Sequence, residues 1–96
     1  MIEIILVSQN SCFPCKALKM MLEDKKEEFE SNNLKLSYLN LDELEDKEEF
    51  TDKHQIMATP HILFKKGEDY IGRLSGKQNV EQILEAAINL KLEENK

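Results

Sequence analysis

Across 96 residues the chain has two cysteines, two histidines, two prolines, three glycines and no tryptophan. Each shortage removes a class of protein. Two cysteines cannot build the multi-bridge framework of a small secreted domain. A closed zinc site needs four ligands, and His54 and His61 lack the spacing that would complete one with the cysteines, so no metal is expected. The one apolar-rich stretch near the start, Ile2 to Val7, is too short for a secretory leader or a membrane span, and Met1-Ile2-Glu3 offers no basic segment before it. Thirteen basic residues against nineteen acidic ones leave a net charge of −6. That balance argues against nucleic acid, because phosphate binding requires a basic face. No repeat, linker or low-complexity segment interrupts the chain. What remains is 41% hydrophobic and 33% charged, enough for one modest core, and one domain spanning 1–96 is expected. A soluble cytoplasmic protein, in a compartment that keeps thiols cycling, is the corresponding expectation for location.

The two cysteines stand in one motif, Cys12-Phe13-Pro14-Cys15. Ile2 to Val7 reads as a strand, Ser8-Gln9-Asn10-Ser11 as a polar loop, and a long helical pattern opens on the thiols. A CxxC at a strand-to-helix junction is the arrangement of a redox dithiol. The attacking species in such chemistry is a thiolate. At a helix start Cys12 would face unpaired backbone N–H groups and the positive end of the helix dipole. That end stabilises an anion by about 0.3–1 kcal/mol, and by up to ~2 kcal/mol when partly buried. Further stabilisation would have to come from a hydrogen bond donated by the Cys15 thiol. Cys12 is therefore the expected nucleophile and Cys15 the resolving thiol. Pro14 suits the first turn, where its missing N–H costs nothing, and Phe13 is expected to face solvent or a partner.

From Phe13 to about Ser31, Ala17, Leu18, Met21, Leu22 and Phe29 follow helical spacing, and Ser31-Asn32-Asn33 ends the helix. Leu34 to Leu41 alternates as a second strand. Asp42 is placed to cap a helix from Glu43 to about Lys53, with Glu45 at the capping-box position, Leu44 and Phe50 turned inward, and Ile56 packing beyond its end. Thr59-Pro60 opens a third strand, His61 to Lys65. Lys66-Gly67-Glu68-Asp69 reads as a hairpin turn and Tyr70 to Leu74 as the fourth strand. A last helix, capped by Asn79 and reaching about Leu92, presents Val80, Ile83, Leu84, Ala87 and Ile88. The fold class is α/β, in the order β-α-β-α-β-β-α. A four-stranded mixed sheet is expected, with a parallel first crossover, an antiparallel final hairpin and helices on both faces.

These residues resemble the thioredoxin superfamily over nearly the whole chain. The resemblance rests on the CxxC followed by Lys16, on Thr59-Pro60 before a strand, and on Gly72-Arg73-Leu74-Ser75-Gly76. Leu39-Asn40-Leu41-Asp42 is similar to the family's second-strand ending, and Phe64-Lys65-Lys66-Gly67 to its hairpin. The resemblance implies that Pro60 is cis and lies beside the dithiol. Thr59 would then offer its backbone to an extended substrate segment, a mode that recognises backbone more than side chains. Phe13, Pro14, Thr59 and Pro60 are thus the expected substrate-binding residues.

Several positions depart from the family pattern. Ser11-Cys12-Phe13-Pro14-Cys15 stands where thioredoxins usually have Trp-Cys-Gly-Pro-Cys. The family's buried acid aligns with Leu6, and its lysine partner with Tyr38. Proton transfer at Cys15 would then depend on water or other groups. The layout is glutaredoxin-sized and starts at the first core strand. Gln9 occupies the place of the glutaredoxin lysine that binds glutathione, and the glycine pair and acidic cap of that group are missing.

The expected activity is that of a small thiol–disulfide oxidoreductase that reduces protein disulfides with no bound cofactor. It would act as a monomer, and an external reductase, thioredoxin reductase-like or glutathione, would regenerate it. A glutathione-dependent glutaredoxin is one alternative. A non-catalytic binding module holding a metal or Fe–S cluster at the CxxC is the other. His61 either faces the dithiol or points to the opposite side of the sheet, since alternation gives each face half of the residues. His54 reads as a helix-end residue. The acidic run Asp42, Glu43, Glu45, Asp46, Glu48, Glu49 and Asp52 reads as a solvated face or a docking site for a basic partner.

Overall fold

Alternation of apolar residues builds the centre of the molecule. In a computed structural model that describes residues 1–94, the strands are Ile2–Ser8 (β1), Leu34–Asn40 (β2), His61–Lys66 (β3) and Asp69–Ser75 (β4). They form one sheet in the order β2-β1-β3-β4. β1 runs parallel to β2, with Ile4 opposite Leu36 and Leu6 opposite Tyr38. It runs antiparallel to β3, which pairs antiparallel with β4. β1 and β3 are thus the inner strands, and both carry near-continuous apolar sequence because both of their faces are covered.

The helices are Phe13–Asp24 (α1), Lys26–Ser31 (α2), Lys47–His54 (α3) and Val80–Glu94 (α4), with a 3₁₀ turn at Leu41–Glu43. On one face of the sheet Ile4, Leu6, Ile62 and Phe64 pack against Leu18 and Leu22 of α1, Phe29 of α2, and Ile83 and Ala87 of α4. On the other face Val7 and Leu63 meet Leu41 and Ile56, with Leu44 and Phe50 packed beside them. Full burial of side chains of this size contributes about 1.5–3 kcal/mol each, so the larger first cluster holds α1 firmly over the ends of β1 and β3.

Two expectations need correction. The helix expected from Phe13 to Ser31 is broken at Lys25, whose φ/ψ of −104°/12° separates α1 from α2. Cys15, Leu18, Leu22 and Phe29 are the buried positions on this stretch. A straight helix with that stripe would also turn position 25 towards the core, and a lysine cannot be left there unpaired. Ala17 and Met21, expected inward, lie outside the stripe and are exposed.

The helix expected to start at Glu43 under an Asp42 cap begins instead at Lys47, and no side chain caps it. Leu41 and Leu44 both turn into the second cluster, and a three-residue spacing on one side fits a 3₁₀ turn. Asn40 caps that turn, its Oδ1 accepting the Asp42 N–H at 2.9 Å, while Asp42 is engaged elsewhere. Glu45 therefore has no capping box to complete.

The last helix starts as expected. Asn79 Oδ1 accepts the Gln82 N–H at 2.8 Å, and Gln82 Oε1 accepts the Asn79 N–H at 2.9 Å, a reciprocal capping box. Further along, Leu90 Cδ1 sits 3.0 Å from where a Cβ on residue 72 would stand, so glycine there lets α4 close onto β4. Gly67, at φ +61°, makes the β3–β4 turn.

Candidate active site

The cysteines sit where β1 gives way to α1. Cys12 is the residue that caps the helix, at φ/ψ −93°/100°, and Cys15 lies three positions further in. The two are joined as a disulfide. Cys12 Sγ accepts the Cys15 backbone N–H at 3.2 Å, so the sulfur occupies the place of a capping oxygen. Pro14 lies in the first turn. Cys12 is 8% exposed and Cys15 2%, while Phe13 between them is 83% exposed, as expected of a residue that faces outward.

The loop before Cys12 is held from three sides. Gln9 carbonyl accepts the Cys12 N–H at 3.1 Å. The Asn10 N–H donates to Asp42 Oδ2 at 2.7 Å, and Asn40 Nδ2 donates to Asn10 Oδ1 at 2.7 Å. Lys47 Nζ in turn donates to Asp42 Oδ1 at 3.0 Å. The Asn10 amide, with Lys47 after it, holds the Asp42 carboxyl below the usual carboxylate range. Thr59 Oγ1 donates to Gln9 Oε1 at 3.3 Å and so ties the proline segment to the same loop. The Thr59–Pro60 bond is cis, in agreement with the resemblance. Gln9, Asn10, Asn40 and Asp42 as positioning residues were not recognised from sequence. The acceptor-rich Asn40-Leu41-Asp42 was a local signal, but nothing local pairs it with a loop thirty residues earlier.

Two openings border the start of α1. A groove of about 280 Å³ lies between the start of α1 and Pro60, with Phe13, Pro14, Ala17 and Met21 among its walls. A cleft of about 480 Å³ lies on the other side and reaches Cys15, Leu6 and Tyr38 between polar walls that include Gln9, Asn10, Lys16, Lys19 and Glu43. Leu6 and Tyr38 are register partners, so the floor under Cys15 carries no carboxylate. The Tyr38 hydroxyl is buried, with the Glu23 side chain close to it. Burial raises its pKa above the ordinary tyrosine value, and the nearby Glu23 raises it further, so the phenol stays neutral. Lys19 Nζ lies 4.9 Å from the centre of its ring.

His61 is placed on the far face. It alternates with Ile62, which packs under α1 and α4, and it shares its side of β3 with Leu63 of the second cluster. Its side chain is 1% exposed, and neither ring nitrogen has a hydrogen-bonding partner among the described residues. Burial, then Arg73, then His54, push its pKa below the ordinary 6.5. His54 lies between Phe50 and Tyr70 at centroid distances of 4.6 and 4.4 Å, its ring tilted against both, and Arg73 Nη1 donates to its carbonyl at 2.6 Å.

A pH dependence follows from the depressed His61 pKa. Between the folded and the unfolded pKa the unfolded chain binds the extra proton, so stability falls as pH drops below about 6.5. The full contribution is present above that value. Wild-type urea midpoints are expected to decline from pH 7 to pH 5, at up to about 1.4 kcal/mol per pH unit for one such histidine. His61→Leu is expected to flatten this decline. Parallel declines in the two proteins would show that His61 is not its source.

A family model described as a thioredoxin-like domain matches residues 3–90. Among solved structures, thioredoxin from Fasciola hepatica superposes with a TM-score of 0.74 at 19% identity, covering 92% of this chain and 79% of that one. Thioredoxin F from spinach chloroplast gives 0.76 at 19% identity, with 94% and 70% covered. Mitochondrial thioredoxin 3 from Saccharomyces cerevisiae, in its oxidised form, gives 0.69 at 19% identity, with 92% and 76% covered. At these identities the superpositions establish the fold. No helix among the described residues is long and apolar enough to cross a membrane.

Proposed function

The chain belongs to the thioredoxin-like domain family, and from that premise we propose that it is a small thiol–disulfide oxidoreductase that reduces protein disulfides. The observation that carries this reading is a cysteine pair at one helix start, with Cys12 in the capping position, its Sγ accepting the Cys15 N–H, and Cys15 bonded to it from three residues further in.

In the reduced protein, the Cys15 N–H that points at Cys12 Sγ and the positive end of α1 both favour the Cys12 thiolate. The thiolate attacks one sulfur of a substrate disulfide. A mixed disulfide forms at Cys12, and the other substrate sulfur leaves as a thiolate that takes up a proton from water. Cys15 then loses its proton and attacks Cys12 Sγ. This closes the Cys12–Cys15 bond and releases the second substrate sulfur. Two electrons have passed from the dithiol to the substrate, and an external reductase, thioredoxin reductase-like or glutathione, returns them. With Leu6 and Tyr38 below it, Cys15 gives its proton to water in the polar cleft.

Phe13, Pro14 and Pro60 wall the groove in which the substrate lies, and Thr59 supplies backbone for pairing. The protein acts as a monomer in the cytoplasm, where thiols are kept reduced. The test is insulin reduction in dithiothreitol, followed as turbidity of the released chains. Catalytic amounts of the protein are expected to shorten the lag, and no change in the lag would remove the reading. Replacing dithiothreitol by glutathione, or by NADPH with thioredoxin reductase, identifies the electron donor.

A further inference from the structure

The groove beside the dithiol differs in charge from the rest of the molecule. The chain carries a net charge of −6, yet among the described residues no aspartate or glutamate lines the groove. Its wall is apolar at Phe13, Pro14, Met21 and Pro60, and its rim carries Lys77 and Gln78 on the segment that leads into α4. Lys16, which lines the cleft on the other side, has its Nζ 5.8 Å from the centre of the Phe13 ring, so Lys77 is the cation of the groove itself. Lys77 is exposed and has no acidic partner in an ion pair among the described residues. The acids of the 42–52 run belong to the 3₁₀ turn, α3 and the segment between them, and of these only Glu43 lines either opening, in the cleft on the other side of α1. An apolar trough with a cationic rim, on a chain that is otherwise acidic, selects its occupant by both properties.

We propose that the groove takes a substrate segment with an apolar side chain next to its disulfide cysteine and an acidic residue beyond it, set against Lys77. The apolar side chain fills the space between Phe13 and Pro60, and the acid meets the lysine at the rim. Basic segments are disfavoured there by like charge. The acidic surface away from the groove repels acidic partners at long range, so the preference belongs to the bound segment and not to the partner's overall charge. The inference rests on the reading of the dithiol as a disulfide reductant and names the substrate class of that site.

The test uses three synthetic peptides, each closed by one intramolecular disulfide and carrying leucine beside the first cysteine. They differ only in the two following residues, which are glutamates, glutamines or lysines. The pre-reduced protein is mixed with each peptide, and its oxidation is followed in a single turnover. At low salt the glutamate peptide is expected to react about two- to fivefold faster than the glutamine peptide, the scale of an exposed ion pair, and the lysine peptide slowest. The order should weaken in concentrated salt, where screening falls to a few ångströms. Lys77→Glu is expected to reverse it. Equal rates for the three peptides, or an unchanged order in Lys77→Glu, would overturn the charge preference while leaving the reductant reading in place. Failure of all three peptides to oxidise the protein would remove that reading, and this inference with it.

Discussion

Cys12→Ser is expected to abolish insulin reduction, a loss of about a thousandfold or more, whereas Cys15→Ser is expected to stop after the first attack and accumulate a covalent complex. A hydroxyl is scarcely ionised at neutral pH, and serine at position 12 removes the nucleophile itself. At position 15 the first bond still forms, because Cys12 keeps its place at the helix start and the Cys15 N–H that serves it is backbone, which serine retains. What is lost is the thiol that would displace the substrate. Mass spectrometry of Cys15→Ser mixed with an oxidised substrate should then show the summed mass, released by dithiothreitol. A complex formed by Cys12→Ser and not by Cys15→Ser would reverse the two roles. The capping position of Cys12, whose Sγ takes the Cys15 N–H, argues against that outcome.

Phe29→Ala is expected to cost about 3–5 kcal/mol, among the largest single losses available to this chain. The ring is fully buried in the main cluster and is the one buried residue of α2. A six-residue helix has no stability of its own in water, so α2 depends on this contact. Against a typical total of about 5–15 kcal/mol, the loss should appear as a large fall in the urea midpoint. Met21→Ala is the informative comparison. Both residues belong to the apolar pattern read from the sequence, but Met21 is 46% exposed and lines the groove. Its truncation should cost roughly 0.5 kcal/mol or less and act on substrate instead. Equal losses for the two would contradict the exposure of Met21 beside the burial of Phe29.

Much of the scaffold was legible because it is written in short periods. The alternation of Leu34, Leu36 and Tyr38 against Leu39 and Leu41 separated the two faces of β2, and the structure assigns them to the two clusters. Asn79 marked its helix start through a side-chain oxygen two to three residues from the N–H groups it serves. The helix ends that failed did so for tertiary reasons. Lys25 is an ordinary helix former, and only the position of the sheet makes its place in the stripe untenable. Asp42 is a good cap, but it spends its carboxylate on the Asn10 N–H, and Leu44 is drawn into the second cluster. His61 was undecided between two faces until the register of β3 placed it away from the cysteines.

By itself the sequence determined the dithiol, its place at a helix start, the strand order along the chain and the family, because these depend on residue types at fixed local spacing. Tertiary structure decided the rest. It set which residues hold the Gln9–Ser11 loop, and that a cationic rim meets an apolar groove beside Pro60. Those properties arise between segments thirty to sixty residues apart. Their contacts depend on how α1 and α4 settle on a twisted sheet, and no local pattern carries that information.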